Sequence, residues 1–482
     1  MVPMTACTKG PVTEANPFAL RVDSLVDESM RDGKVPGLAI TIVRGDSVLH
    51  SKGYGFANLE KQVPMTDSTP SVIGSTSKTF TSFAVMQLVD SGRVALDSTI
   101  VRYVAMLGAS SSASATATAH GTPLDPRFAR ITVRHLLTNV SGIPSGFSGD
   151  AYDAVDTSAG ALERIVRDDM LPRRLDFDPG SNYTYSNRGF SLASLIVQDV
   201  SGMSYEDYIA QRIFAPLGMT HSTGRFWEGP SRGMVQGYRE SVDGKPLPRP
   251  ASLGREWTGS GMILSTSRDA ARFLQAILRG GTAPNGQRIL SQGGATELLR
   301  AQQKAESELG GPTMYGLGWE ISDMNGVVVA QKGGSVGTMG SLFVMIPAQK
   351  IGVAMLFNDI DYGKLQLLQN IIKVLTGTAT SPYAHAPAPA PVPSNGYQMS
   401  HTRKLEFAGT YDTRAGVMRI SVRSDTLAGR FEGNDVALEP VSDTSFVMRS
   451  VLREQEGSPL TIKRCSMTMC IWMQGDSSAV RR

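Results

Sequence analysis

Ser75 and Lys78 stand three positions apart in the stretch "GSTSKTF", at the start of an apolar pattern with helical spacing. Residues three apart on a helix share a face, so both side chains are expected to point the same way. Serine is a weak nucleophile until a base takes its proton, and a lysine that is buried near other cationic groups can be that base. The alternative is an N-cap serine followed by a solvated lysine. The pattern that follows the pair predicts a helix from Ser77 to Gly92, carried by Phe80, Phe83, Ala84 and Leu88.

Two further stretches bear on the choice between these interpretations. Tyr185-Ser186-Asn187 is a Tyr-x-Asn, and Lys332-Gly333-Gly334 is a Lys-x-Gly on a predicted strand. Each alone is ambiguous, because Tyr185 could be a core tyrosine and Lys332 a surface charge. The three motifs follow one another in this order, separated by about 110 and 145 residues, and that combination favours catalysis.

A competing serine lies in Gly333-Gly334-Ser335-Val336-Gly337, which matches the G-x-S-x-G of a nucleophile elbow. An elbow needs a strand before the serine, a helix after it, and an acid and a histidine further along the chain. The stretch after Ser335 has a strand pattern, and the later histidines are His385 and His401, in or just beyond a Pro-rich linker. The elbow interpretation therefore fails, and Ser75 is the predicted nucleophile.

Ser-x-x-Lys, Tyr-x-Asn and Lys-x-Gly in this order resemble the serine β-lactamase and penicillin-binding-protein superfamily. The tyrosine makes the chain most similar to the class C branch and its D-amino-acid peptidase and esterase relatives. The resemblance covers roughly Pro17 to Gly377 and includes "ITVRHLLTNVSGIP", "GSGMILSTSRDAARFLQAIL" and "YGLGWEI". Asn139 stands where many relatives have histidine, which is expected to affect local packing only. Lys332 stands where many esterase and peptidase relatives have histidine. Lysine at this position favours a β-lactamase or a D-peptidase over an esterase.

The resemblance implies a role for each motif residue. Ser75 would attack a carbonyl carbon and form an acyl-enzyme, and Lys78 and Tyr185 would move protons, with Tyr185 activating the water for deacylation. Asn187 would hold a substrate amide and help to orient Lys78. Lys332 would keep the pKa of the tyrosine low and attract an anionic group of the substrate.

The same resemblance implies an oxyanion hole formed by the backbone N–H groups of Ser75 and Ser335. Gly334 and Ser335 would line the substrate site together with Lys332. No metal site or cofactor is predicted, because no His/Cys cluster has the spacing of zinc ligands and the implied chemistry needs none.

The family fold is α/β (α+β), an antiparallel sheet flanked by helices with an inserted helical subdomain. We expect an N-terminal tail over residues 1–16, a catalytic domain over 17–377 and a helical subdomain at about 105–260. A small, polar Ala/Ser/Thr insertion occupies residues 109–123, and an Ala/Pro-rich linker covers 378–400. Short alternating strands after the linker predict a C-terminal all-β (lipocalin-like) barrel over residues 401–482.

The composition and the N-terminal residues indicate which binding partners and which cellular compartment to expect. The chain has 482 residues and a net charge of +3, without a dense basic cluster, so nucleic acid is not an expected partner. No apolar run has the length of a membrane span. Met4-Thr5-Ala6-Cys7 resembles the end of a bacterial lipoprotein signal; if it is one, the protein is periplasmic or lipid-anchored, and otherwise it is cytoplasmic. Cys465 and Cys470 are either bridged across neighbouring strands or free thiols.

These features predict a bacterial serine acyl hydrolase for peptides or amides with a D-residue at the cleaved bond. One member of the superfamily cleaves linearised microcystin. The resemblance permits that substrate here, but no residue of this sequence can be named that selects it. A carboxylesterase and a class C-like β-lactamase are the alternatives within the enzyme class. A penicillin-binding sensor, acylated but never turned over, is the non-enzyme alternative. The C-terminal domain could also make the chain a homo-oligomer.

Overall fold

The computed structural model describes most of the chain, in segments separated by short gaps. The described residues are 16–33, 35–108, 124–144, 156–240, 245–249, 254–306, 312–324, 326–359, 364–377, 396–413, 416–431, 434–449, 459–465, 468–473 and 479–481. The lipoprotein-like stretch, the insertion at 109–123 and nearly all of the predicted linker lie outside the described residues.

The strands are numbered in chain order. They are β1 Gly37–Arg44, β2 Ser47–Asn58, β3 Val63–Pro64, β4 Ser71–Val72, β5 Gly237–Glu240, β6 Pro246–Arg249, β7 Leu264–Ser265, β8 Gln303–Glu306, β9 Pro312–Tyr315, β10 Glu320–Met324, β11 Val327–Val336, β12 Met339–Ile346, β13 Ile351–Phe357, β14 Gly409–Thr413, β15 Gly416–Arg423, β16 Thr426–Phe431, β17 Asn434–Pro440, β18 Ser445–Arg449, β19 Pro459–Cys465, β20 Thr468–Met473 and β21 Ala479–Arg481.

The α-helices are numbered in the same way. They are α1 Pro17–Gly33, α2 Ser77–Asp90, α3 Ala105–Gly108, α4 Val133–Leu137, α5 Ala161–Ile165, α6 Asn187–Ser201, α7 Tyr205–Ile209, α8 Ala215–Leu217, α9 Ser267–Leu278, α10 Gln292–Leu298, α11 Lys364–Thr376 and α12 His401–Phe407. Short 3-10 helices lie between them, including Gly74–Thr76 directly before α2.

Nine of the described strands form one antiparallel sheet in the order β3-β2-β1-β13-β12-β11-β10-β9-β8. Strand β1 lies in the interior of this sheet. Its stretch "GLAITIV" is buried throughout and does not alternate between apolar and polar residues, because helices cover both faces of the sheet. Gly45, with φ of +56°, makes the tight turn from β1 into β2. The stretch "GLAITIVRGDSVLHSKGYG" predicts two strands around the turn Arg44-Gly45-Asp46-Ser47, and the pairing of β1 with β2 confirms this hairpin.

The two faces of the sheet carry separate cores. Helices α1 and α11 contribute to one core, which contains Ile40, Val344 and Ile371. Helix α2 is buried on nearly every side within the other core, between the sheet and the helices α3 to α8. The Phe80 ring stacks on Phe273 of α9 with centroids 3.9 Å apart. A helix that is buried all round cannot rotate without disrupting its packing, so α2 fixes the direction of its first turn.

The stretch "ITVRHLLTNVSGIP" (Ile131 to Pro144) predicts a helix, and the helix in the structure is shorter than expected. Helix α4 covers only Val133–Leu137, and the prediction is wrong beyond it. Asn139 has φ of +59°, in the left-handed region that ends a helix. The segment after α4 instead pairs with residues 176–184, since the N–H groups of Gly180 and Thr184 donate to the carbonyls of Val140 and Asn139.

The C-terminal part forms a closed barrel of the strands β14 to β21, as predicted. Its described interior is filled by side chains that include Phe407, Tyr411 and Phe446. The register of β19 and β20 pairs Cys465 with Thr468 and Cys470 with Lys463. The predicted fold class is confirmed, with a large antiparallel sheet, flanking helices and a separate all-β region.

Candidate active site

Ser75 lies in the 3-10 helix Gly74–Thr76, which runs directly into α2. Gly74 has φ of +54°, a conformation that glycine adopts without strain. Thr76 Oγ1 donates a hydrogen bond to the Ile73 carbonyl at 2.7 Å and fixes the turn. Lys78 follows in the first turn of α2, and its Nζ lies 3.1 Å from Ser75 Oγ. The structure thus brings together Ser75, the predicted nucleophile, and Lys78, the predicted base.

Lys78 is fully buried, and its Nζ is surrounded by oxygen atoms. It donates hydrogen bonds to Asn187 Oδ1 at 2.7 Å and to the Ser260 carbonyl at 2.9 Å. Carbonyl oxygens only accept hydrogen bonds, so these two take N–H groups whether the lysine is protonated or neutral. The neutral amine keeps a lone pair for the Ser75 proton, and burial favours that neutral form. The arrangement therefore suits Lys78 as a base.

Tyr185 precedes α6 and lies between two lysines. The Lys78 Nζ is 4.7 Å from the centroid of its ring, and the Lys332 Nζ is 5.0 Å from the same centroid. Asn187, two residues later, is the first residue of α6, whose N-cap Ser186 accepts the Gly189 N–H at 3.1 Å. The three motifs, far apart in the chain, therefore converge on one phenol ring.

Asn139 secures the chain on both sides of Tyr185, a role that sequence reasoning missed. Its Oδ1 accepts the Ser186 N–H at 3.1 Å, and its backbone carbonyl accepts the Thr184 N–H at 2.9 Å. The side chain is fully buried. Its positive φ orients both acceptors towards the same segment, and asparagine tolerates that φ better than most residues. The departure from the family's histidine was the available signal, and whether its effect is confined to local packing stays a prediction.

Strand β11 brings the Lys-x-Gly motif against the turn that carries Ser75. A Cβ atom at Gly334 would lie 2.2 Å from the Ile73 carbonyl oxygen and 2.7 Å from the Thr76 backbone nitrogen. A Cβ atom at Gly74 would lie 2.5 Å from the Ser335 backbone nitrogen. The contact is thus backbone against backbone, and a side chain larger than hydrogen would force the two segments apart.

Ser335 itself lies in β11, which leads through a tight turn into β12. Strand, turn and strand do not make a nucleophile elbow, so the rejection of the G-x-S-x-G stretch is confirmed. Ser335 enters the site through its backbone, one residue away from the Gly334 contact. Whether its N–H and that of Ser75 both bind an oxyanion stays a prediction.

Glu320 is a second residue that sequence reasoning missed. Its Oε1 lies 3.6 Å from the Lys332 Nζ, and both side chains are buried. The only signal in the sequence is a carboxylate set between Trp319 and Ile321 in "YGLGWEI". The predicted cation of the third motif therefore has a buried counter-ion on the neighbouring strand β10.

The described residues were also compared with what a metal site or a membrane-spanning helix requires. No group of three or more His, Cys, Asp or Glu side chains there is arranged to hold a metal ion. None of the helices described here combines the length and the apolar character needed to cross a membrane.

Several known proteins are similar to this chain in sequence and in fold. Residues 22–370 match the protein family described as Beta-lactamase. Penicillin-binding protein 4 of Amycolatopsis lactamdurans is 29% identical over 332 residues, which cover 67% of this chain and 81% of that protein. Protein flp of Staphylococcus aureus strain N315 is 25% identical over 340 residues, which cover 70% of this chain and 62% of that protein. The chain thus matches less than two thirds of the length of the staphylococcal relative.

Solved structures extend the similarity across both parts of the chain. The octameric penicillin-binding protein homologue from Pyrococcus abyssi is 25% identical with a TM-score of 0.63, covering 96% of this chain and 99% of that one. A class C β-lactamase is 22% identical with a TM-score of 0.60, covering 75% of this chain and 97% of that one. The second similarity concerns the fold alone.

Proposed function

The chain belongs to the β-lactamase family, and we propose that it is a serine hydrolase of amide or ester bonds that works through an acyl-enzyme on Ser75. One observation carries the proposal: the buried Lys78 amine lies 3.1 Å from Ser75 Oγ. Two fixed carbonyl acceptors hold that amine in place, so it meets the geometric requirement for a general base.

Acylation follows from this geometry. Neutral Lys78 accepts the Ser75 proton as Oγ attacks the carbonyl carbon of the substrate. The tetrahedral intermediate collapses with cleavage of the bond to the leaving group, which takes up the proton, and an ester on Ser75 remains. The N–H groups of Ser75 and Ser335 serve as the oxyanion hole, where a single donor contributes about 3 kcal/mol to transition-state stabilisation.

Deacylation is assigned to Tyr185. Its deprotonated phenol removes a proton from a water molecule that attacks the ester. The bond between the acyl carbon and Ser75 Oγ then breaks, the acyl group leaves as a carboxylic acid, and Oγ takes up the proton from the tyrosine. Asn187 holds a substrate amide while its Oδ1 keeps Lys78 oriented. Gly334 and Ser335 form the opposite wall on β11, and the buried Lys332 supplies positive charge near Tyr185.

The proposed substrates are linear peptides or amides with a D-residue at the cleaved bond. Lys332 supports this choice, because many esterase relatives carry histidine there, and so does the similarity to proteins named as penicillin-binding. Linearised microcystin falls within this chemical class, although no residue of the site selects it. A carboxylesterase and a class C-like β-lactamase use the same machinery and are outcomes of the test.

The test compares wild type with Ser75→Ala on one substrate pool followed by mass spectrometry. The pool pairs L- and D-epimers of linear peptides and includes a cephalosporin and a short-chain ester. Ser47→Ala, at an exposed serine in the β1–β2 turn, is the matched control. Cleavage at D-residues by wild type and the control, lost in Ser75→Ala, supports the proposal. Hydrolysis that survives in Ser75→Ala contradicts the nucleophile.

The remaining outcomes sort the alternatives. Turnover of only the ester or the cephalosporin makes the protein an esterase or a β-lactamase. A persistent mass increase on Ser75 without turnover makes it a penicillin-binding sensor. Tyr185 argues against the sensor, since a residue suited to deacylation would have no use there.

We also propose that the chain forms a homo-oligomer through its C-terminal β-domain, over residues 401–482. The octameric Pyrococcus homologue supports this, because it aligns with 96% of the chain, including the barrel. The mass in solution of the full chain is expected to be a multiple of the monomer. A chain ending at residue 377, before the proposed linker, should be monomeric, and an unchanged oligomeric state would contradict the proposal.

A further inference from the structure

Lys332 and Glu320 form an ion pair inside the protein. The Lys332 side chain is 0% exposed and the Glu320 side chain 2% exposed, with Nζ and Oε1 3.6 Å apart. Transferring either charge alone from water to such a site is unfavourable, and a lone buried lysine usually gives up its proton. A carboxylate at this distance stabilises the protonated form, so the pair accounts for a cation at this position.

The ion pair borders the candidate active site. The Lys332 Nζ lies 5.0 Å from the Tyr185 ring centroid, and Lys78 approaches the same ring from α2. Among the described residues on the elements next to β11, β12 and Gly74–Thr76 carry no titratable side chain, and Asp323 of β10 is exposed. Tyr315 of β9 lies opposite Glu320 in the sheet.

We infer that Glu320 is a positioning residue that keeps Lys332 protonated and oriented beside Tyr185. The inference rests on the proposed function, in which that positive charge favours the deprotonated phenol. Glu320 acts through Lys332 and is too deeply buried to meet the substrate. The Lys332 charge is likewise closed to solvent, so its influence is exerted on Tyr185 from within the protein.

The first test is the pH profile of kcat/KM in Glu320→Gln. Without the carboxylate, burial dominates and Lys332 releases its proton at lower pH, so the alkaline decline in activity begins earlier. The ratio of variant to wild-type kcat/KM is expected to fall about tenfold between about pH 6 and about pH 9, for a shift of one pH unit. Asp323→Asn, at an exposed carboxylate on the same strand, is the matched control and should keep the wild-type profile.

Two further variants separate charge from packing. Lys332→Arg combined with Glu320→Gln should recover alkaline activity relative to Glu320→Gln alone, because a guanidinium stays protonated throughout this range. Glu320→Asp keeps the carboxylate and should show a smaller shift in the same direction. A merely structural Glu320 would lower activity equally at every pH, and that result would overturn the inference.

A titration that does not depend on activity distinguishes this inference from the proposed function. The full chain is labelled at lysine Cε with 13C, and the Lys332 signal is assigned by its loss in Lys332→Arg. Its titration midpoint should fall by about one pH unit in Glu320→Gln and by less in Glu320→Asp. Unchanged midpoints in both variants overturn the inference, even if Ser75 is acylated normally. If Ser75 is not acylated but the midpoint shifts, the proposed function fails and the role of Glu320 stands.

Discussion

Lys78 Nζ lies 3.1 Å from Ser75 Oγ, at the junction of a 3-10 turn with a helix that is buried along most of its length. The two atoms lie close together because the residues are three positions apart on a helical turn. Lys78 is suited to act as a base, however, because its side chain is buried. An exposed lysine at the same distance would remain a solvated cation. Here the surrounding core removes water, and two carbonyl oxygens orient the amine towards the serine.

Replacement of Lys78 by arginine tests its role as a base. The guanidinium keeps its charge and cannot accept the Ser75 proton at neutral pH, so the acylation rate constant should fall about 10²- to 10⁴-fold. Stopped-flow or quench measurements on an activated ester give that constant. Lys52→Arg, at a partly exposed lysine paired with Asp23, should acylate like wild type. Acylation by Lys78→Arg at the wild-type rate would remove Lys78 from the mechanism.

Asn139→Gly should impair catalysis more than its distance from the chemistry suggests. Glycine tolerates the φ of +59° but removes the Oδ1 that accepts the Ser186 N–H. Displacement of Tyr185 by about 1 Å would lower kcat/KM by about 100-fold. Circular dichroism confirms that the fold is kept, and Asn285→Gly in an exposed turn is the control. Wild-type kinetics in Asn139→Gly would show that Tyr185 is held by other contacts.

Gly334→Ala probes the contact between β11 and the Ser75 turn. The new Cβ would lie 2.2 Å from the Ile73 carbonyl oxygen, so the strand must move away from the nucleophile. We expect kcat/KM to fall by about 100-fold or more and the melting temperature to decrease. Gly293→Ala, in the first turn of α10 with 3.8 Å to the nearest neighbouring atom, should be active and at least as stable. Near-normal kinetics in Gly334→Ala would mean that this contact does not shape the site.

Asp125 provides a pH-dependent test of stability. Hydrogen bonds from Arg127 hold the pKa of this carboxyl well below its usual range, and the Leu175 N–H also binds it. A depressed pKa stabilises the fold above the unfolded value of about 3.9, and this stability is lost as pH falls towards the folded value. Asp125→Asn should lower the free energy of unfolding at pH 7 by about 1–3 kcal/mol.

The difference between Asp125→Asn and wild type should shrink when urea unfolding is repeated at about pH 3, because the wild-type carboxylate then contributes less. Asp46→Asn is the control, since that side chain is 76% exposed in its pair with Arg279 and should change stability little at either pH. A difference of equal size at both pH values would show that the Asp125 charge is not what stabilises this region.

The features predicted from the sequence are those that residue type and short spacing determine. Ser75 and Lys78 lie within one helical turn, and α2 follows from its apolar periodicity. Glu320 could not be predicted as the partner of Lys332, because their meeting depends on how β10 pairs with β11 and on the depth at which both are buried. The Ser260 carbonyl leaves no signal at all, since every residue has one. Asn139 was visible as a departure, but its effect on Tyr185 depends on a backbone turn.

The proposed function depends on a covalent acyl-enzyme on Ser75, which a variant blocked in deacylation would make directly observable. Tyr185→Phe should acylate but deacylate slowly, so incubation with a cephalosporin or an activated ester should leave a stable adduct on the intact protein. Proteolysis and tandem mass spectrometry then locate the adduct. We expect the adduct to lie on Ser75 and to be absent from the Ser75→Ala/Tyr185→Phe double variant. An adduct on any other residue, or one that persists in the double variant, would contradict the proposed function.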